Sequence, residues 1–521
     1  MNKTSFPVSR LAASLGLAFA LLGTAYAADT TRVIVSFKPG TAAAKLARAA
    51  IAKAGGQIKL DIDGENVAVV LPKAAVAALA KHSAISLIEE DAKRYPLSLT
   101  TPSAPPYELG QLVPYGIKMV QADQLPSLDA NAGNRKICII DSGYDITHED
   151  LQHGANVTGN DDIGGAGLWT VDGTHHGTHV AGTISAVNQA GVGVVGVLPN
   201  SKIKLHIVKV FGDNGTWAYS STLSAAAKKC QAAGANVISM SLGGPVPNST
   251  EKNTFTKLQT AGILSIAAAG NGANTQTSYP AGYAPVMSVA ALDENKAWAT
   301  FSQRNKDVEI AAPGVGVLST VPMGAGSEPS LTVGATVYAP GAMDGSPAIS
   351  ASAPLANFGL GDAIDTSVAG KVCLIQRGNI AFSDKVLNCQ NSGGVGAVVY
   401  NNVAGGFAGT LGGVATTIPS VTASDTEGAA MLGQLGQTAT VAVTATNYAF
   451  FDGTSMATPH VSAVAALVWS YFPSCTGEQI RQSLNKSALD LGVAGKDVRF
   501  GYGLVQAKAA YDRIGSLGCG N

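Results

Sequence analysis

The sequence predicts an α/β protein of three layers, built on a mainly parallel sheet, with a small α+β unit ahead of it and a β-rich unit inserted into it. Three observations carry that prediction. From about residue 108 to 322, apolar runs at 136–141, 204–211, 236–241, 263–269 and 286–291 are continuous rather than alternating, and helical stretches such as 221–233 lie between them. A strand covered by helices on both faces needs such a run. From 28 to about 96, strand-like segments at 32–37, 66–71 and 84–89 alternate with Ala-rich helical ones at 42–54 and 73–81. From 323 to 447 charge nearly vanishes. Strands are expected at 372–376, 397–400 and 438–444 and a helix at 382–392, before 454–472 returns to an apolar helix of the earlier kind. The segments are 1–27, 28–107, 108–322, 323–447 and 448–521.

The 521 residues are 46% hydrophobic and 13% charged, with a formal net charge of -1. This supports large cores and excludes a disordered chain. No basic stripe marks a nucleic-acid binder. After residue 27 no apolar run is long enough to span a bilayer. Lys3 and Arg10, an apolar run over 11–23 and Ala25-Tyr26-Ala27 read together as a secretory signal. The expected location is extracellular, where six cysteines favour disulfides. Cys373 with Cys389 and Cys475 with Cys519 are local pairings. Cys138 with Cys230 is the remainder, although Cys138, in a very apolar strand, also reads as a buried thiol.

Three islands carry chemistry. Ile139-Ile140-Asp141-Ser142-Gly143 puts an acid at the carboxyl end of a strand, where ligands of parallel sheets gather. His176-Gly177-Thr178-His179 opens a helix. Gly453-Thr454-Ser455-Met456-Ala457 turns into the apolar helix at Ser455. A serine hydroxyl needs a neutral imidazole to take its proton, and the imidazole needs a carboxylate to hold its tautomer. A helix starting at Ser455 aims amide dipoles at a developing oxyanion.

These islands resemble the three signature motifs of the subtilisin-like serine proteases (subtilases), in that family's order of Asp, His, Ser. The resemblance implies that Asp141 orients the base, His176 is general base and acid, and Ser455 is the nucleophile. Ala268-Ala269-Gly270-Asn271-Gly272 resembles the oxyanion segment, with Asn271 as donor. Ser241, Leu242, Gly243 and Gly244 resemble the substrate-pairing strand, and Lys209-Val210-Phe211 with Gly215 the second pairing edge. The family resemblance implies protein or peptide substrates, a monomer, no cofactor for catalysis and a structural calcium ion. Gln111 and Asp150 match calcium ligands, and the loop 187–194 would supply the rest, with Asn188 as its side-chain candidate. Residues 28–96 resemble an inhibitory propeptide that is cut off within about 97–108. Residues 323–447 resemble an inserted protease-associated domain, on Cys373-Leu374-Ile375-Gln376-Arg377-Gly378 and Ser383-Asp384-Lys385-Val386.

Other readings are weaker. Gly191 to Gly196 fits G-x-G-x-x-G but follows a helix instead of a strand, so a nucleotide loop is not expected. His175 and His179 have metal-like spacing but lack the Glu of H-E-x-x-H, which leaves His179 as a buried core residue. A lipase would carry G-x-S-x-G, and Ala457 occupies its last position. A peptide-binding inactive homologue is not favoured, since all four catalytic positions are filled.

Overall fold

Alternation of burial within the parallel strands sets the architecture. In the strand Lys136–Asp141, Ile137 and Ile139 face one apolar core while Cys138 and Ile140 face another. The computed structural model describes residues 29–96, 99–100, 111–161, 164–189, 191–407, 409–412 and 414–521. The expected signal at 1–27 and most of the expected cleavage stretch lie outside the described residues. Among the described residues no helix is long and apolar enough to cross a membrane.

The central sheet has seven parallel strands, in the order Ile310–Pro313, Val286–Leu292, Leu264–Ala268, Val237–Met240, Lys136–Asp141, Lys204–Lys209 and Val157–Asn160. On one side pack the helices His176–Ser185 and Thr454–Tyr471, through Val180, Ile184, Val461, Val464 and Val468. On the other pack Ser220–Ala232 and Ser249–Thr260, through Leu223, Ala227, Phe255 and Leu258. The expected three layers are present. The two outer strands were not expected. One carries Gly159 and Asn160 and the other ends in Pro313, and such residues are tolerated at sheet edges.

The N-terminal unit is a four-stranded antiparallel sheet, ordered Gln57–Asp61, Asn66–Pro72, Thr30–Phe37, Ile85–Glu90, with the helices Thr41–Lys53 and Lys73–Leu79. Two of its carboxylates dock on the helix layer. Asp91 accepts from the Ser221 amide at 2.9 Å and hydroxyl at 2.6 Å. Glu89 accepts from the Ser249 and Thr250 amides, each at 2.8 Å.

The inserted unit is a nine-stranded mixed sheet. Its first strand, Gly326–Val333, pairs antiparallel with its last, Thr438–Thr446. The strands just outside it, Val317–Thr320 and Tyr448–Asp452, also pair antiparallel. The insert therefore grows from the tip of a hairpin, and both of its ends lie together. Disulfides join Cys138 to Cys230, Cys373 to Cys389 and Cys475 to Cys519.

Candidate active site

Asp141 is the last residue of its strand, and Ser241 and Asn271 lie just beyond the carboxyl ends of the next two strands along the sheet. Asp141 is fully buried. Its Oδ1 accepts from the Ser142 amide at 2.8 Å and lies 2.6 Å from His176 Nδ1. The chain can turn sharply after it because Gly143 has φ 129°, and a Cβ there would collide with the Val171 carbonyl. With Nδ1–H given to Asp141, the other imidazole nitrogen, Nε2, is left as an acceptor. Burial disfavours the charged imidazole, but the Asp141 carboxylate outweighs it, so the His176 pKa is raised.

Asp172 is a buried acid that the sequence reading missed. Its Oδ2 accepts from the Thr178 amide at 2.8 Å and hydroxyl at 2.7 Å, which caps the helix that presents His176. Its Oδ1 accepts from the Ser142 hydroxyl, which in turn accepts from the Gly177 amide at 2.9 Å. An Asp ahead of a Gly-rich helix start was the available signal.

Ser455 is the second residue of the helix Thr454–Tyr471. Its Oγ and the Nε2 of His176 are both buried, and neither makes a hydrogen bond among the described residues. The helix start is fixed from two sides. Ser241 Oγ donates to the Ser455 carbonyl at 2.7 Å. Asn271 Oδ1 accepts from the Thr454 amide at 3.0 Å and hydroxyl at 2.8 Å. That pairing sets the rotamer of Asn271 and turns its nitrogen end away from Thr454.

The strand expected to pair with substrate is paired by the chain itself. The strand Lys93–Pro96 runs antiparallel between Ala218–Tyr219 and Leu242–Gly243. A Cβ at Gly244 would meet the Lys93 carbonyl. Leu99–Thr100 then pairs with Phe451–Asp452, three residues short of Ser455. The second pairing edge thus falls at 218–219. Gly215, expected there, lies upstream in a turn that its amide closes onto the Gly212 carbonyl at 3.0 Å.

The expected calcium residues come partly together. Gln111 Nε2 donates to the Val187 carbonyl at 3.2 Å. Asp150 accepts from the Val194 amide at 2.8 Å and Gln189 Nε2 at 3.4 Å. Burial raises its carboxyl to about 7, and none of the groups that shift it is a cation. The Asn188 backbone amide donates to the Pro199 carbonyl, and beside it the Gln189 side chain reaches Asp150. The glycine loop 191–196 closes this region and binds the Leu112 amide through the Gly193 carbonyl at 2.6 Å. His179 Nε2 lies 2.9 Å from the Val317 carbonyl, its ring stacks on Phe451, and burial lowers its pKa to about 3. It is a core residue.

A parallel sheet with acid, imidazole and alcohol at its carboxyl edge defines the class of triad hydrolases. The Subtilase family matches residues 133–360 and 394–503, and the PA domain matches 334–431. Subtilisin DY of Bacillus licheniformis is 39% identical over 216 residues, covering 41% of this chain and 76% of that protein. Subtilisin E of Bacillus subtilis (strain 168) is 34% identical over 306 residues, covering 56% and 74%. The psychrophilic subtilisin-like protease Apa1 of the Antarctic psychrotroph Pseudoalteromonas sp. AS-11 superposes with a TM-score of 0.57 at 41% identity, covering 78% of this chain and 99% of that one. Fervidolysin of Fervidobacterium pennivorans shares the fold, with a TM-score of 0.59 at 23% identity over 93% of this chain and 61% of that one. The chain belongs to the Subtilase family and carries an inserted PA domain. It is a subtilisin-like serine endopeptidase.

Proposed function

We propose that the chain is exported as a precursor and cuts itself between its N-terminal unit and its catalytic domain, with Ser455 as nucleophile. One observation carries this reading. Lys93–Pro96 pairs with Leu242–Gly243, next to the Ser241 that holds the Ser455 carbonyl, and Leu99–Thr100 pairs with Phe451–Asp452, just ahead of Ser455 in the chain. The bonds between Pro96 and Leu99 are therefore the first substrate. Residues 28–107 act as the inhibitory propeptide and linker, and 323–447 as the inserted domain.

In the reaction, Ser455 Oγ attacks the scissile carbonyl while His176 Nε2 takes its proton. Asp141 holds the ring by Nδ1 and stabilises the imidazolium. The oxyanion is met by the Asn271 amide and by the Ser455 N–H, which has no carbonyl ahead of it in the helix. His176 then protonates the leaving amine, and water repeats the cycle on the acyl-enzyme. Calcium would fit the region of Asp150 and Gln111, beside the Val187 carbonyl, where a buried carboxylate has no Lys or Arg partner among the described residues. There it would hold the loop as a structural ion, outside the chemistry.

Mass spectrometry of a maturation time course tests the reading. The first N-terminal fragment should end at Pro96, Leu97 or Ser98, and Ser455→Ala should stay uncut. A first cut elsewhere, or cleavage by Ser455→Ala, would refute self-processing.

A further inference from the structure

Arg94 points from the cleft strand into the catalytic domain, and nothing in ordinary peptide binding requires an arginine to be buried there. Its side chain and that of Glu251 are both 0% exposed. Arg94 Nε donates to Glu251 Oε1 at 2.9 Å and Nη2 to Oε2 at 2.5 Å, while Nη1 donates to the Lys93 carbonyl at 2.8 Å. The carboxylate is held from behind. Tyr283 Oη donates to Oε2 at 2.7 Å, and the Glu251 amide is fixed by the Asn248 side chain at 2.9 Å.

Arg94 lies on the part of the chain proposed to leave, whereas Glu251, Tyr283 and Asn248 lie on the part that remains. Departure takes away one charge and strands the other. A buried carboxylate with no counter-charge is costly, and a ligand that restores the cation relieves that cost. The strand pairings that deliver Arg94 are made by main chain, so any extended peptide can make them. The two parallel N–H···O bonds match a guanidinium better than an ammonium.

We propose that Glu251 makes this pocket an arginine-selecting subsite of the mature enzyme, for substrates with arginine two residues ahead of the one that lies where Pro96 lies. The proposal rests on the reading of the cleft as the substrate site. It makes the propeptide a template of the preferred substrate, not only a plug.

The test uses the mature enzyme and internally quenched peptides that copy residues 92–100, with Arg94 kept or changed as Arg94→Lys, Arg94→Leu and Arg94→Glu. The expected kcat/KM order is Arg, Lys, Leu, Glu, with Arg above Leu by about tenfold or more, as a charge-assisted buried pair gives. In Glu251→Gln the Arg-to-Leu ratio should collapse, and in Glu251→Leu it should invert. If casein is digested while the wild type cuts all four peptides equally, the subsite proposal fails and the peptidase reading stands. If neither casein nor any peptide is cut, both fail. The wild-type series decides the matter even where the Glu251 variants do not fold.

Discussion

At the scale of single residues, the balance at His176 sets the pH dependence. The reaction needs the neutral ring, burial favours it, and Asp141 opposes it more strongly. The acid limb of kcat/KM should therefore lie above 6.5, the ordinary value, with activity rising as pH rises through it. In Asp141→Asn burial is opposed only by the weaker pull of Asp172. The limb should move down, and kcat should fall by about 10,000-fold through loss of the correct tautomer. A pH–rate series on a chromogenic peptide reads both effects. Asn271→Ala should lower kcat by about 100- to 1,000-fold with little change in KM, a range itself measured on a subtilisin. The places of these residues in the fold were legible in the sequence because each sits at a strand end or helix start, where local pattern fixes position. Asp172 carried only the weak signal of an acid ahead of a helix start, since its partners Ser142 and Thr178 belong to two different islands that only the fold joins. Glu251 was not legible, because a Glu in the first turn of a helix reads as a dipole partner until a guanidinium is found against it.

At the scale of elements, the buried strands were read well because a continuous apolar run is a local signal. The strand Lys93–Pro96 was hidden in a proline-rich stretch, since both strands that pair with it belong to the catalytic domain. The gain from such docking is carried by helix ends. Asp91 and Glu89 cap the helices Ser220–Ala232 and Ser249–Thr260 from outside, where amide donors lack helical partners. Losing one cap costs about 0.5–2 kcal/mol. Asp91→Ala should cost at least that much, because Arg32, 2.7 Å from the same carboxylate, also loses its partner. In an uncut Ser455→Ala background, Asp91→Ala should lower the first unfolding transition, and calorimetry would detect the shift. An unchanged transition would mean that the unit is held by its other ties, the Glu89 cap and the Arg94–Glu251 pair among them. The calcium region is a second element-scale case. Chelator should lower the Tm of the mature enzyme, and Asp150→Asn should remove most of that sensitivity.

At the scale of the whole molecule, the sequence revealed the insert by its change of texture, but not why the catalytic domain tolerates it. The reason is geometric. Val317 to Thr320 pair with Phe451 to Tyr448, and the Val321 amide continues the ladder to the Asn447 carbonyl at 2.9 Å. The insert closes at its base as a hairpin loop would, so the cost of its length is only the slow logarithmic growth of loop entropy. The residues at the base do belong to the catalytic domain. The Met323 amide donates to Asp145 Oδ2 at 2.9 Å, and Asn447 Nδ2 donates to Glu149 Oε1 at 2.8 Å. A deletion that keeps both, joining Ala325 to Thr446 through a short Gly-containing turn, should leave the parallel sheet and the Asp141–His176 pair intact. Hydrolysis of a short peptide should then stay within about tenfold of the full chain, because the insert supplies none of the catalytic side chains. Digestion of a folded protein substrate is the sensitive readout for the insert's own role. If the short-peptide activity vanished while the deleted protein remained folded, the insert would be part of the catalytic architecture rather than a module carried on its edge.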